Sequence, residues 1–413
     1  MGKMTVIGQM MAAHTGKITK LMGIGATGLL LAACSGVTSA TTTADATNAA
    51  NSDVVNIGGL WALTGDTSAY GVAQDNAVQL AVEQRNAEGG IDGREVVYCN
   101  FDNKGEPAES SVGMSYLVEQ VGASVVVGPD TAGNTFAAQP IAESKGVTLV
   151  SASTTIDGAT INPETDEVYD YFFRTNIDAT TQGSAIATFS NQQGYETAAI
   201  LKDNATDYGQ NLATVYHEVF EGDVVIDVSY VSGDADFTSI LTNVKAADVD
   251  VIFIAGFYQE AGTIIKQARE MGIDTVIVGP NGFANDNLTQ LAGEANMDDV
   301  YYVANFVFSD DADQDVKDFE QAYTDKFGVK PDMYSALAFD AVNMIMDAID
   351  RADTTDPAAI RDAIEATDAF DGIAYPISFD EDHNIVDAPV FIQEFQDGQM
   401  TDNTTIIDTS DFD

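Results

Sequence analysis

Basic residues are scarce: 17 Lys and Arg stand against 65 Asp and Glu in 413 residues, a formal net charge of −48. Nucleic-acid binding and docking on an anionic membrane both need a basic face, so this composition argues against either. Self-repulsion of that size is tolerable where salt screens it, since the Debye length falls to about 3 Å near 1 M salt. The charge therefore points to an exported, halophilic setting rather than to a function. Histidine is nearly absent, with three in the chain. His217 lies in a helical stretch beside Val219 and Phe220, and His383 in a charged turn. Neither sits in a nucleophile elbow or has a second ligand at useful spacing, which removes the usual signatures of a catalytic triad or a zinc site. Two cysteines leave no Cys-based metal site. No phosphate loop of the Walker type occurs, so any ATPase working with this chain is a separate polypeptide. The run Asp310-Asp311-Ala312-Asp313-Gln314-Asp315 fails as a calcium loop. Val316 stands where the loop needs glycine and Ala322 where the bidentate acid belongs. Acids favoured by the dipole at a helix N-terminus explain that run. No catalytic residue, cofactor site or metal site is expected.

Long apolar runs are also missing, and the one near the N-terminus is short. Residues 1–33 carry Lys3, Lys17 and Lys20 and no acid, then the glycine-broken stretch Leu21 to Ala33, ending Leu31-Ala32-Ala33-Cys34. A basic start, a 13-residue apolar stretch and small residues before a cysteine describe a lipoprotein signal peptide, with Cys34 as the lipidated residue. The Gly23-Ile24-Gly25-Ala26-Thr27-Gly28 match to a dinucleotide fingerprint lies inside this signal, with no strand before it, and is set aside. Residues 34–52 are mostly Ser, Thr, Ala and Asn, as a flexible linker would be. Without the signal the charge is 14 basic against 65 acidic residues, or −51. With Cys34 lipidated, Cys99 would be left alone as a buried strand thiol.

What the chain does contain centres on Val125 to Thr155. Two β-branched runs, Val125 to Val127 and Val147 to Val150, read as buried parallel strands. Each breaks at its C-terminal end into small hydroxyl, amide and glycine residues. The first break is Gly128-Pro129-Asp130-Thr131-Ala132-Gly133-Asn134, and the second includes Ser153-Thr154-Thr155. Ligands of open α/β sheets bind at that edge, where a helix N-terminus, here expected near Asn134, offers unpaired N–H groups. Strand and helix signals alternate through the body, which predicts parallel sheets covered on both faces. About 360 residues follow the linker, enough for two lobes.

Several phrases share one order. Leu63-Thr64-Gly65, Tyr70-Gly71 and Glu88-Gly89-Gly90-Ile91-Asp92-Gly93 precede the two breaks just described. Phe173-Arg174-Thr175, Gln182-Gly183, Tyr208-Gly209, Gly279-Pro280-Asn281-Gly282 and Tyr334-Ser335-Ala336-Leu337-Ala338-Phe339-Asp340-Ala341 follow. In that order they resemble the substrate-binding lipoproteins of ABC transporters of the branched-chain amino acid type, periplasmic binding protein type I. The resemblance implies an α/β fold of two Rossmann-like lobes joined by a three-stranded hinge. Lobe 1 would comprise 53–174 and 306–378, and lobe 2 would comprise 175–305 and 379–413. It implies a non-enzymatic protein that closes on a small polar ligand, an amino acid or near relative, and delivers it to separately encoded permease and ATPase subunits. A ligand sensor facing a membrane receptor is the rival role for the same fold. The expected ligand residues are Tyr70, Thr131, Ala132, Gly133, Ser153, Thr154 and Thr155 from one lobe, with Tyr208, Phe257, Glu260 and Asn281 from the other. One departure matters. Family members that bind α-amino acids carry an acid where this chain has Asn281, and Ala132 replaces a serine of the carboxylate-binding turn. Either Glu260, Asp203 or Asp207 substitutes, or the ligand is an amide, a urea-like compound or a simple carboxylate.

Overall fold

The computed structural model describes residues 54–396, 398–410 and 412. The expected signal, linker and lipidated Cys34 lie outside them. The first half runs β1 (Val54–Trp61), α1 (Ser68–Ala87), β2 (Glu95–Asp102), α2 (Pro107–Tyr116), β3 (Val125–Val127), α3 (Ala132–Lys145) and β4 (Thr148–Ser151). A small hairpin of β5 (Ile161–Asn162) and β6 (Glu167–Val168) leads to β7 (Phe172–Arg174). Next come α4 (Ala179–Gln193), β8 (Thr197–Asp203), α5 (Asp207–Val219), β9 (Asp223–Tyr230), α6 (Thr238–Ala247), β10 (Val251–Ala255), α7 (Tyr258–Glu270), β11 (Val276–Gly279), α8 (Asp286–Ala292) and β12 (Val300–Ala304). Three helices, α9 (Gln314–Phe327), α10 (Met333–Ala352) and α11 (Pro357–Glu365), precede the closing strands β13 (Phe391–Gln396) and β14 (Gln399–Ile406).

Two sheets result. The first, in the order β2-β1-β3-β4-β7, is parallel throughout. In the second, β9-β8-β10-β11-β12 is parallel, and β13 and β14 extend it antiparallel beyond β12. Parallel strands covered on both faces are buried along their length, which is why β3 and β10 read as unbroken apolar runs and have every residue buried. Burying each such valine or isoleucine fully stabilises the fold by roughly 1.5–3 kcal/mol.

The chain passes between the sheets three times: after β7, after β12, and before β13. Between the second and third passages α9 and α10 pack on α1 of the first lobe. Tyr323 Oη donates to Ala73 O at 3.2 Å, and Arg85 pairs with Asp350 at 3.0 Å. The passages are tied to one another. Asn305 Nδ2 donates to Asn176 Oδ1 at 3.0 Å and to Tyr375 Oη at 2.9 Å, and Tyr375 Oη donates to Thr175 O at 2.8 Å. Arg174, 3 % exposed, donates to Ile156 O at 2.9 Å and to Asn384 Oδ1 at 2.6 Å, which joins the end of β7 to the third passage.

Some expectations need correction. Tyr375 to Phe379, whose apolar residues make it read as a strand from sequence, is not one; only isolated bridges occur there, Phe370 with Ile377 and Phe379 with Ile385. His383 lies in its charged turn but is buried, its ring stacked 4.0 Å from that of Phe173 and its Nδ1 3.1 Å from Phe172 O. Cys99 is buried on β2, where the sequence placed it. The helix expected near Asn134 starts two residues earlier, at Ala132. The acidic run ends at the N-terminus of α9, with Asp315 in the first turn.

Candidate ligand-binding site

A cavity of about 330 Å³ lies between the C-terminal edges of the two sheets, lined by Thr131, Ala132, Gly133 and Asn134 on one side and by Tyr208, Phe257 and Glu260 on the other. The first wall is the start of α3. Thr131 occupies the N-cap with an extended backbone but makes no side-chain cap bond, so its hydroxyl is not spent on the helix. Asn134, one turn in, is fully buried, and neither Nδ2 nor Oδ1 has a protein partner. The wall carries no net charge of its own at these positions. Below it, Asp130 accepts from Ala62 N at 3.1 Å, and burial pushes its carboxyl up to about 6 against that hydrogen bond.

The opposite wall is aromatic and acidic. Tyr208 and Phe257 stack with ring centroids 5.2 Å apart. Glu260, in the first turn of α7, accepts from Gly233 N at 2.8 Å, and burial raises its pKa despite that bond. Asp203 is fully buried with both oxygens held, one by Ser232 Oγ at 2.5 Å and the other by Ala205 N at 2.9 Å. Neither acid is hydrogen-bonded to Asn281.

Asn281 sits deeper, 1 % exposed, in a 3₁₀ turn after β11. Its backbone N–H donates to Gln182 Oε1 at 3.1 Å. The hydroxyls of Tyr208 and Tyr334 lie 3.1 and 3.2 Å from one atom of its side-chain amide, whereas the other amide atom has no partner. Tyr208 Oη also meets Gln182 Oε1 at 2.9 Å. Tyr70 joins this network from the first lobe: its Oη donates across the cleft to Gly282 O at 2.5 Å, and its ring meets those of Tyr334 and Phe257 at 5.0 and 6.0 Å. Burial drives the hydroxyl pKa of both Tyr70 and Tyr208 upward, so both stay protonated donors.

The sequence-derived set thus divides in three. Thr131, Ala132, Gly133, Tyr208, Phe257 and Glu260 line the cavity. Tyr70 and Asn281 join the buried network behind Tyr208. Ser153, Thr154 and Thr155 are buried in the turn after β4: Ser153 Oγ donates to Asp130 O at 3.2 Å, Thr154 meets the Thr135 hydroxyl, and Thr155 O accepts from Ala179 N at 2.6 Å. Gln182, Tyr334 and Asn134 were not among the expected residues. The first two lay within phrases that carried the family resemblance, but nothing in their spacing placed them beside Asn281. A larger cavity of about 510 Å³, lined by Tyr302, Phe306, Met333 and Met400 among others, contains none of the expected residues.

A family model described as periplasmic binding protein matches residues 54–399, and the chain belongs to that family, a class of solute-binding proteins rather than enzymes. It is 28 % identical over 335 residues to the leucine-, isoleucine-, valine-, threonine- and alanine-binding protein of Pseudomonas aeruginosa, covering 80 % of this chain and 86 % of the relative. Among solved structures it resembles the branched-chain amino acid transporter substrate-binding protein of Streptococcus pneumoniae in complex with isoleucine. That match has 35 % identity and a TM-score of 0.81 over 86 % of this chain and 99 % of the other. The leucine-binding protein of Thermotoga maritima follows at 25 % identity and a TM-score of 0.79, over 87 % and 100 % of the two chains.

Proposed function

We propose that this protein is the extracytoplasmic solute-binding component of an ABC importer, held at the cell membrane through a lipid on Cys34 and facing the periplasm or cell exterior. It captures an amino acid or a small polar analogue between lobe 1 (53–174 and 306–378) and lobe 2 (175–305 and 379–413), then presents it to a separate permease and ATPase. The observation that carries this reading is the cavity itself, because its walls come from both sheets and so form only when the lobes meet. Three tied passages make a hinge between them. The relatives named above are named for binding leucine, isoleucine, valine, threonine and alanine, which supports a ligand of amino-acid size.

The reading is tested by melting the mature protein against a panel of amino acids, amides and small carboxylates. A ligand at 100 times its Kd adds about 2.7 kcal/mol to the folded state. Small-angle scattering with the hit should show contraction. A panel without a single shift, or an unchanged radius at saturation, would sink the clamp. Cys34→Ser should release the protein from membranes or leave it unprocessed, and wild type and variant fractionating alike as soluble proteins would sink the lipid anchor.

A further inference from the structure

The buried network around Asn281 contains more contacts than its hydroxyl protons can serve. Tyr208 Oη faces Gln182 Oε1 at 2.9 Å and the Asn281 amide at 3.1 Å. Tyr334 Oη faces Asn281 O at 3.0 Å and the same Asn281 amide atom at 3.2 Å. Gln182 is oriented without ambiguity, because Asn281 N–H must donate and meets Oε1 at 3.1 Å. Its Nε2 is therefore turned away, buried and without a partner. If the Asn281 atom beside the tyrosines is Oδ1, two hydroxyl protons face four acceptor contacts, and two contacts bring lone pairs together. If that atom is Nδ2, its two protons go to the two tyrosine oxygens, whose own protons go to Gln182 Oε1 and Asn281 O. All four contacts are then satisfied. Hydrogen-bond balance is what decides an amide's orientation, and it places the nitrogen between the tyrosines.

The consequence is a matched pair of free groups. Asn281 is left with a carbonyl oxygen and Gln182 with an NH2, in side chains 1 % and 0 % exposed that share Tyr208, a residue of the cavity wall. An ammonium at this place would meet the Gln182 NH2 head-on, and a carboxylate would meet the Asn281 oxygen. A group with both an N–H donor and a carbonyl acceptor fits both.

We propose, within the solute-binding reading above, that the ligand presents a neutral primary carboxamide or ureido group to Gln182 and Asn281, with Gln182 as the residue that sets this preference. The NH2 of the ligand donates to the Asn281 oxygen, and its carbonyl accepts from Gln182 Nε2. Tyr208 and Tyr334 act as positioning residues that hold the Asn281 amide in that orientation.

Four probes of one shape separate the cases by calorimetry on the mature protein: isovaleramide, isovalerate, 3-methylbutylamine and leucine. Isovaleramide should bind at least tenfold more tightly than the acid or the amine. Gln182→Met, which keeps the volume and removes the donor, should erase that preference. Asn281→Asp should weaken isovaleramide and tighten 3-methylbutylamine by about tenfold. Equal binding of amide, acid and amine by the unmodified protein, which requires no variant to fold, overturns the proposal. Leucine binding more tightly than isovaleramide and losing that affinity in Glu260→Gln overturns it too, because the ammonium would then sit on Glu260. In both outcomes the solute-binding reading stands; it falls as well only if no probe and no member of the wider panel binds.

Discussion

Tyr70-Gly71 in the first lobe and Tyr208-Gly209 in the second stand at the same place in two matching sheets. β1 lies between β2 and β3, as β8 lies between β9 and β10, and each is followed by a helix whose first turn carries the Tyr-Gly pair. The glycine is required by contact in both. A Cβ on Gly71 would stand 2.1 Å from Ala62 O, and one on Gly209 would stand 2.7 Å from Asp203 O and 2.8 Å from Ala255 O. Close approach of helix to strand aims each tyrosine at the cleft. The two lobes then use the device differently. α5 is capped by Thr206, whose Oγ1 accepts from Gly209 N at 3.1 Å, and Tyr208 serves its own lobe by positioning two amides. α1 has no side-chain cap bond, and Tyr70 reaches across to the other lobe. One backbone solution supports a fixed recognition face on one side and a closing contact on the other.

The lobes also differ in buried acid, which gives the largest expected effect. Asp340 on α10, packed on the first lobe, accepts from Ile373 N and Ala374 N at 2.8 Å, yet burial and then nearby Asp371 push it up to about 7. Its folded pKa exceeds the ordinary value of 3.8, so between those pH values the folded state holds a proton that the unfolded state has lost. Stability should therefore rise as pH falls through about 7, by at most about 4 kcal/mol once pH is below the unfolded value. Melting from pH 8 to 5 should show this rise in the wild type and a flatter profile in Asp340→Asn. Parallel profiles would remove the first lobe's acid from the comparison.

Next in size are the glycines. Gly71→Ala should cost about 3 kcal/mol, and Gly209→Ala less, because its nearest atom is farther away. Urea unfolding of both variants checks the order, and wild-type stability in either would break the claim that close approach fixes the turn. The smallest effects come from the hydroxyls. Tyr208→Phe removes contacts to two amides and should weaken ligand binding about tenfold. Tyr70→Phe removes one inter-lobe hydrogen bond, worth about 1 kcal/mol, and should weaken binding roughly fivefold. Equal losses in calorimetry would mean that the two tyrosines play one role, not two.

Much of the fold was legible because it rests on local chemistry. Val125 to Val127 is strand exactly where its β-branched run predicted, and the turn after it lines the cavity, since small residues at the end of a buried parallel strand leave room for a ligand. Tyr375 to Phe379 looked equally strand-like, but its backbone finds only isolated bridging partners. A short apolar run does not record whether a neighbour is available.

The sequence by itself determined the charge, the strand and helix alternation, the Tyr-Gly turns and the presence of an amide at position 281, because each depends on residues close together in the chain. Tertiary structure alone decided that Gln182 and Tyr334, 99 and 53 residues from Asn281, would meet it with Tyr208 between. It also decided that Asp203 would spend its carboxylate within its own lobe. The physical reason is that a hydrogen bond saturates. Which atom of Asn281 is left for a ligand depends on how many protons its neighbours supply, and those neighbours are assembled only when distant segments converge.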